Sequence, residues 1–312
     1  MELSVSISGI KLLKHLAQAP FDAFSLGDPF CPDRPGNFLA DLAALQTAVS
    51  DLKQRSKRVY VATPIVTGTS RFVDTVGILR EARRSGADAV EINDVGLIAA
   101  ARELGLTIHL GPFANVYNSR TAALFSSLGA ARIVPSPELS LSEINALRDR
   151  IDGEIEIPIH GRQALGIAGS CPDRGETALG RRPDRCLENR CTEESLLSFG
   201  QRRIRLAGPA TFTDGALVMI EHLPDLINQG YKCFKIEGVW DSHENLSVAG
   251  RLYRDTLSDN GQTRDADSRL QALKNGYPDI FNGWYFGTSG HAYQGRSANV
   301  NTHNVSAGDE HG

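Results

Sequence analysis

At 312 residues, 41 % of them hydrophobic, the chain has room for one large domain or two small ones with a sizeable buried core. A formal net charge of −4 with 22 % charged residues argues against binding duplex nucleic acid through bulk charge. No apolar run of about eighteen residues is present to span a membrane. The opening MELSVSISGIKLLKHLAQAP has neither an apolar signal core nor a small-residue cleavage site, so a cytoplasmic protein is expected.

Eight apolar runs of strand length follow in order: LSVSIS from Leu3, DAFSLGD from Asp22, RVYVATPIV from Arg58, AVEINDV from Ala89, TIHLGPF from Thr107, RIVPSPE from Arg132, EIEIPIHG from Glu154 and KCFKIEG from Lys232. Most are rich in Val and Ile and suit strands buried on both faces of a parallel sheet. Helical spacing is read over Phe38 to Lys53, Phe72 to Arg84, Gly96 to Leu104, Ser119 to Leu128 and Ser140 to Arg150. Gly86, Gly105, Gly129, Gly153 and Gly230 suit left-handed helix ends. Eight strand–helix units predict an α/β fold of the (β/α)8, TIM-barrel type, with a doubly wound open sheet as the fallback.

One connection is too long. About seventy residues separate the seventh strand from the eighth, where a crossover needs about a dozen. The expected organisation is therefore a barrel domain over residues 1–285 with an insertion over 162–231, followed by a flexible polar tail over 286–312. The insertion holds Cys171, Cys186 and Cys191, and nine arginines lie between Arg162 and Arg205. Arginine and acidic residues mixed in this way usually make a solvated surface. Arg162 is the best placed to grip an anionic substrate.

Five cysteines are too few and too scattered for a disulfide scaffold. Cys31, in SLGDPFC, directly follows the second strand, and the other three follow the seventh. Loops after barrel strands emerge on one face, so all four thiols can meet over one mouth. Four thiolates suit a 4Fe-4S cluster or a structural zinc. Only Cys186 and Cys191 are close in sequence, which favours the bulkier cluster slightly. The plainer alternative is a set of unrelated small buried residues. Cys233, inside a strand, reads as core.

Strand ends place further groups at the mouth: Glu91, Asn93, His109, Asn115, Tyr117, Asn118, His160 and Glu237. His160, His109, Glu91 and Glu237 are candidates for proton transfer. Arg162, Asn93, Asn115, Tyr117 and Asn118 are candidates for holding a substrate. Carboxylates at strand ends also cap helices and pair with arginines. A histidine there can simply support its loop.

EIEIPIHGRQALGIAGSC, the following cysteine pair and KCFKIEG resemble the collagenase-like peptidase family, family U-thirty-two, over most of residues 1–260. His160 and Gly161 match the family's histidine–glycine step, Gly169 to Cys171 its second cysteine element, and Cys186 and Cys191 its close pair. The family's first cysteine falls near Ala164 and is missing. Cys31 stands in its place, as in the UbiV-type iron–sulfur branch of oxygen-independent ubiquinone biosynthesis. The resemblance implies a 4Fe-4S cluster on Cys31, Cys171, Cys186 and Cys191. It implies oxygen-independent hydroxylation of a small aromatic or isoprenoid-quinone substrate, with prephenate as oxygen donor and a homologous partner subunit in a heterodimer. RNA bases are the alternative substrate, and a zinc-stabilised RNA-binding module is a second alternative. Peptidase activity is a third. It is weakly supported, since neither Gly-x-Ser-x-Gly nor His-Glu-x-x-His occurs.

Overall fold

The first strand shows how the chain is built. In β1 (Glu2–Ile7), Leu3, Val5 and Ile7 alternate with Glu2, Ser4 and Ser6, and both sets are buried. A strand buried on two faces of different polarity separates an apolar layer from a polar one. The structure, a computed structural model, describes residues 1–169, 171, 195–199, 202–259 and 266–296.

β1 pairs in parallel with β2 (Ala23–Leu26), and the series continues through β3 (Arg58–Ala62), β4 (Ala89–Ile92), β5 (Ile108–Leu110), β6 (Ala130–Ile133) and β7 (Glu154–Gly161). A late strand, β13 (Cys233–Ile236), pairs in parallel with both β7 and β1 and closes the ring. The eight expected strands are thus the eight staves of a TIM-like barrel. Helices α1 (Ile10–Leu16), α2 (Leu42–Gln54), α3 (Phe72–Ser85), α4 (Ile98–Glu103), α5 (Ser119–Ser127) and α6 (Leu141–Arg148) fill the first six connections. Ser140 and Glu143 start α6 with a reciprocal capping box. The main apolar core lies between the outward strand faces and this helical ring. Among the described residues, the apolar cluster within the lumen is small, made of Ala23, Tyr60 and Ala89.

The insertion has its own architecture. β8 (Ala164–Ile167), β9 (Ser195–Phe199), β10 (Arg202–Ala207) and β11 (Ala210–Thr213) form an antiparallel sheet in the order β8-β11-β10-β9. β12 (Ala216–Val218) then runs antiparallel to the end of β7. α7 (Leu223–Asn228) leads into β13. α8 (His243–Ser258) and α9 (Ala266–Lys274) follow it, and β14 (Ile280–Phe281) pairs with β12.

Two expectations change. Gly86, Gly105, Gly129 and Gly230 have positive φ, but Gly153 does not. It is needed for close approach instead, since a Cβ there would lie 2.4 Å from the Ala131 carbonyl oxygen. The tail expected from 286 begins as packed structure. Asn282 and Gly283 N–H both donate to Ala292 O, His222 Nε2 lies 2.8 Å from Gln294 O, and the Tyr293 hydroxyl donates to Glu221. These contacts tie residues 286–294 to the barrel wall. Among the described residues, no helix is long and apolar enough to cross a membrane.

Gly161 ends β7 at φ +104°, and a Cβ there would sit 2.2 Å from Glu237 O. Gly86 has φ +80° but open space around it. Gly86→Ala should therefore lose only the left-handed backbone cost of about 1–2 kcal/mol. Gly161→Ala should lose clearly more, because β7 and the β13 exit must also separate. Urea midpoints of the two variants measure the difference.

Candidate active site at the barrel mouth

At the C-terminal ends of the strands a pocket opens. Its floor is polar, and its wall includes Phe30, Phe113, Phe212 and Trp240. The floor is built by lumen-facing positions of four strands and the residues just after them. Lys235 Nζ lies 2.8 Å from Glu91 Oε2 and 3.3 Å from Glu237 Oε1. Ser6 Oγ donates to Glu237 Oε2 at 2.8 Å, and Ser25 Oγ to Glu91 Oε2 at 3.3 Å. Burial by itself would lower the Lys235 pKa, but Glu237, Glu91 and Glu156 together outweigh it and raise it. Lys235 is thus an ammonium at neutral pH, able to hold an oxygen anion and unable to act as a base. Asn93 also lines the pocket, with its Oδ1 accepting from Phe113 N–H at 3.1 Å.

His109 and His160 do not face the pocket. His109 points into the lumen, its ring edge-on to Tyr60 at 4.6 Å. Burial, then Arg132, Lys235 and Arg58, holds its pKa well below the usual histidine value. His160 is fully buried behind the mouth, packed edge-on against Tyr253 and Tyr277. Tyr277 donates its hydroxyl proton to Asp241, so its oxygen accepts from His160 Nε2–H at 3.0 Å. His160 Nδ1 is left as a buried lone pair with no partner among the described residues. Burial pushes the His160 pKa down to about 3. The histidine expected to move protons is instead a neutral prop beneath Asp241, which does line the pocket.

Arg162 is at the rim. Its guanidinium donates to Trp240 O at 3.1 Å and Asp214 O at 3.4 Å, and it lies 4.0 Å from Asp241 Oδ1. Asn115, Tyr117 and Asn118 are exposed and lie outside the pocket. Asn118 caps α5 by accepting from Thr121 N–H, and Tyr117 donates to Glu138 at 3.0 Å. The loop after β5 carries these residues away from the mouth, and Tyr117 and Asn118 serve local structure there.

The loop after β2 is locked by its own polar groups. Buried Asp28 accepts from Phe30 N–H and Cys31 N–H and pairs with Arg34 at 3.0 Å. Asn37 Nδ2 donates to the carbonyls of Asp28 and Cys31. Burial raises the Asp28 pKa even so. Phe30 meets Phe212 of β11 at 4.9 Å, and the Arg34 guanidinium lies 4.0 Å above Trp240. These contacts seat Cys31 against the insertion sheet, with Cys31 Sγ 4.0 Å from the place of a Cβ on Gly208, in the β10–β11 turn. Ala168 N–H donates to Pro209 O in that turn, three residues before Cys171. The segment carrying Cys171 and the Cys31 loop thus converge on one turn. Cys186 and Cys191 lie outside the described residues. Cys233 is buried at the far end of β13, its thiol pushed up to about 12 by burial.

The sequence reading missed Lys235, Ser6, Ser25, Asp28, Trp240 and Asp241. For Lys235 a signal existed: a lysine within a buried strand, with Glu237 two residues on and therefore on the same face.

A family model described as peptidase family U32 matches residues 10–295. The chain belongs to this family. Among curated relatives, this U32 protein is 29 % identical to an uncharacterized protease of Methanocaldococcus jannaschii over 74 % of its own length and 60 % of the relative's. It is 30 % identical to tRNA hydroxylation protein P of Escherichia coli over 54 % of its length and 38 % of the relative's. With tRNA hydroxylation protein P2 of Bacillus subtilis the identity is 25 % over 85 % and 88 % of the two chains. The U32 chain thus spans 60 % and 38 % of the first two relatives, and nearly all of the third.

Proposed function

We propose that this U32 protein is an iron–sulfur hydroxylase, or a subunit of one, that works without molecular oxygen on an aromatic ring held in the barrel mouth. The observation that carries the reading is the Phe30–Phe212 contact, which seats the Cys31 loop on the insertion bearing Cys171 at the pocket rim. Cys31, Cys171, Cys186 and Cys191 would hold a 4Fe-4S cluster. When bound, such a cluster supplies electrons one at a time.

The residues of the chain do the rest. Phe30, Phe113, Phe212 and Trp240 offer a planar substrate an aromatic wall that excludes water. Lys235 stabilises oxygen charge, Glu91 and Glu237 accept protons from hydroxyl or amino groups, and Arg162 receives a carboxylate such as that of a prephenate-type oxygen donor. The names of the relatives favour a tRNA base as the ring. A second reading, a ubiquinone precursor handled together with a homologous partner subunit, is favoured by Ala164. That residue fills the place of the family's first cysteine and packs against the Phe212 cluster, while Cys31 supplies the replacement thiol.

Anaerobic purification followed by visible absorption and iron, sulfide and zinc analysis tests the cluster. Wild type should be brown with about four irons per chain, and Cys31→Ser and Cys171→Ser should each lose the absorption. Colourless protein holding stoichiometric zinc after anaerobic reconstitution overturns the reading in favour of a zinc-stabilised RNA-binding module. Casein cleavage that survives loss of Cys31 and Cys171 together would favour a peptidase. Mass spectrometry of tRNA nucleosides and quinones from cells lacking the protein separates the two substrates.

A further inference from the structure

Beneath the pocket floor the lumen holds Glu2, Glu156 and Arg132, ionisable groups that the proposed function does not use. Three buried carboxyl groups, Glu2, Glu91 and Glu156, together with the half-buried Glu237, share two buried cations, Arg132 and Lys235. Burying an unpaired charge costs several kcal/mol, so a proton is best kept on the carboxyl with the poorest partners. Three of the four are well matched. Glu2 takes Arg132 at 2.5 Å and Arg58, Glu91 takes Lys235 at 2.8 Å, and Glu237 takes Lys235 from a position partly open to the pocket. Among the described residues, Glu156 has one cation within 4.0 Å, Arg132 at 3.7 Å.

Its remaining partner can serve either protonation state. Ser4 Oγ lies 2.5 Å from Glu156 Oε1 and 3.3 Å from Phe234 O. With Glu156 ionised, the hydroxyl donates to the carboxylate. With Glu156 protonated, the acid donates to Ser4 Oγ and the hydroxyl turns to Phe234 O. Both arrangements leave no polar atom of the trio unsatisfied.

We propose that Glu156 stores a proton in the barrel lumen and shares it with the Lys235–Glu91 pair of the pocket floor. Lys235 couples the two carboxyls, its ammonium drawn to both, so that a proton held by one favours the ionised form of the other. When the proton leaves Glu156, its carboxylate gains the Ser4 hydroxyl and Arg132. The titratable and charged groups in reach of Glu156 are Glu2 from β1, Tyr60 from β3, Arg132 from β6, and Cys233 and Lys235 from β13. Burial is the largest influence on Glu156 and raises its pKa, with Glu2 adding to it against Arg132, Lys235 and Ser4. The inference goes beyond the proposed hydroxylation and holds for any chemistry in the pocket that exchanges a proton.

Infrared spectroscopy of the full chain at pH 8 tests it. The carboxylic acid C=O stretch should be present, move down in D2O and be absent in Glu156→Gln. Should that variant not fold, wild type with isotope-labelled glutamate and a pH titration gives the same answer, because an ordinary glutamic acid is ionised well below pH 8. In Glu91→Gln, Lys235 loses a counter-charge and turns to Glu156, so the pH at which the band disappears should fall by about one unit or more. A wild type with no such band at pH 8 overturns the stored proton. A titration unmoved in Glu91→Gln overturns the sharing.

Discussion

Arg132→Met should destabilise the fold by about 3–5 kcal/mol, the largest loss from any one lumen substitution. The guanidinium is 3 % exposed and bonds Glu2 at 2.5 Å, Glu154 at 2.6 Å and, more loosely, Glu156 at 3.7 Å. It also lies 5.4 Å from the centre of the Tyr60 ring, whose hydroxyl donates to Glu2 at 2.9 Å. Methionine fills much of the volume but leaves Glu2, among the described residues, with Arg58 alone for a cation and strips Glu156 of its nearby guanidinium in a dry space. For a domain of this size the loss corresponds to a fall of about 10 °C in Tm. Glu2→Gln on the same background reduces the excess of buried negative charge and should recover part of it. A loss below about 1 kcal/mol, the range of a surface ion pair, would show that Arg132 is not the keystone of the lower lumen.

Acid should destabilise the protein from pH 6.5 downward, through buried His160 and His109. His160 is neutral in the fold with a pKa of about 3, against about 6.5 in the unfolded chain. Between those values the unfolded chain binds the extra proton, so stability is complete above pH 6.5 and falls as pH drops towards 3. For His160 alone the loss is about 2 kcal/mol at pH 5. His109 is shifted in the same direction and adds to it. His160→Gln keeps an N–H for Tyr277 and has nothing to titrate. Its urea midpoint should be lower than wild type at pH 7.5, and the gap should narrow as pH approaches 5. A gap that stays constant across that range would mean that His160 titrates alike in the folded and the unfolded chain.

The barrel was legible because each stave carries its own signature. RVYVA, AVEI and CFKI are short β-branched or aromatic runs, and the glycines at Gly86, Gly105 and Gly129 mark where helices hand over to strands. The two faces of each stave were not distinguished, although ELSVSI alternates plainly. Polar lumen positions in a strand buried on both faces look like an exposed face to a pattern that counts only water. The insertion sheet was missed because its strands are short and carry Arg202, Arg203 and Arg205, and the last of these pairs with Asp214 at 2.8 Å rather than with solvent. Cys31 was found because topology alone brings strand-end loops together. Asn115, Tyr117 and Asn118 were misplaced because topology does not say how far along a loop the mouth extends. His160 was misplaced because a sequence cannot show that β12, Tyr253 and Tyr277 close over a strand end.

The two-faced strands also constrain how this scaffold can diverge. Leu3, Val5 and Ile7 bind the staves to the helices, so the architecture does not depend on what Glu2, Ser4 and Ser6 present on the other side. Inside the ring each ionic group is balanced by others on different strands, so a lone replacement is penalised where a compensated pair is tolerated. Specificity in descendants of such a barrel should change by concerted, epistatic swaps across neighbouring staves, while the outward residues stay fixed.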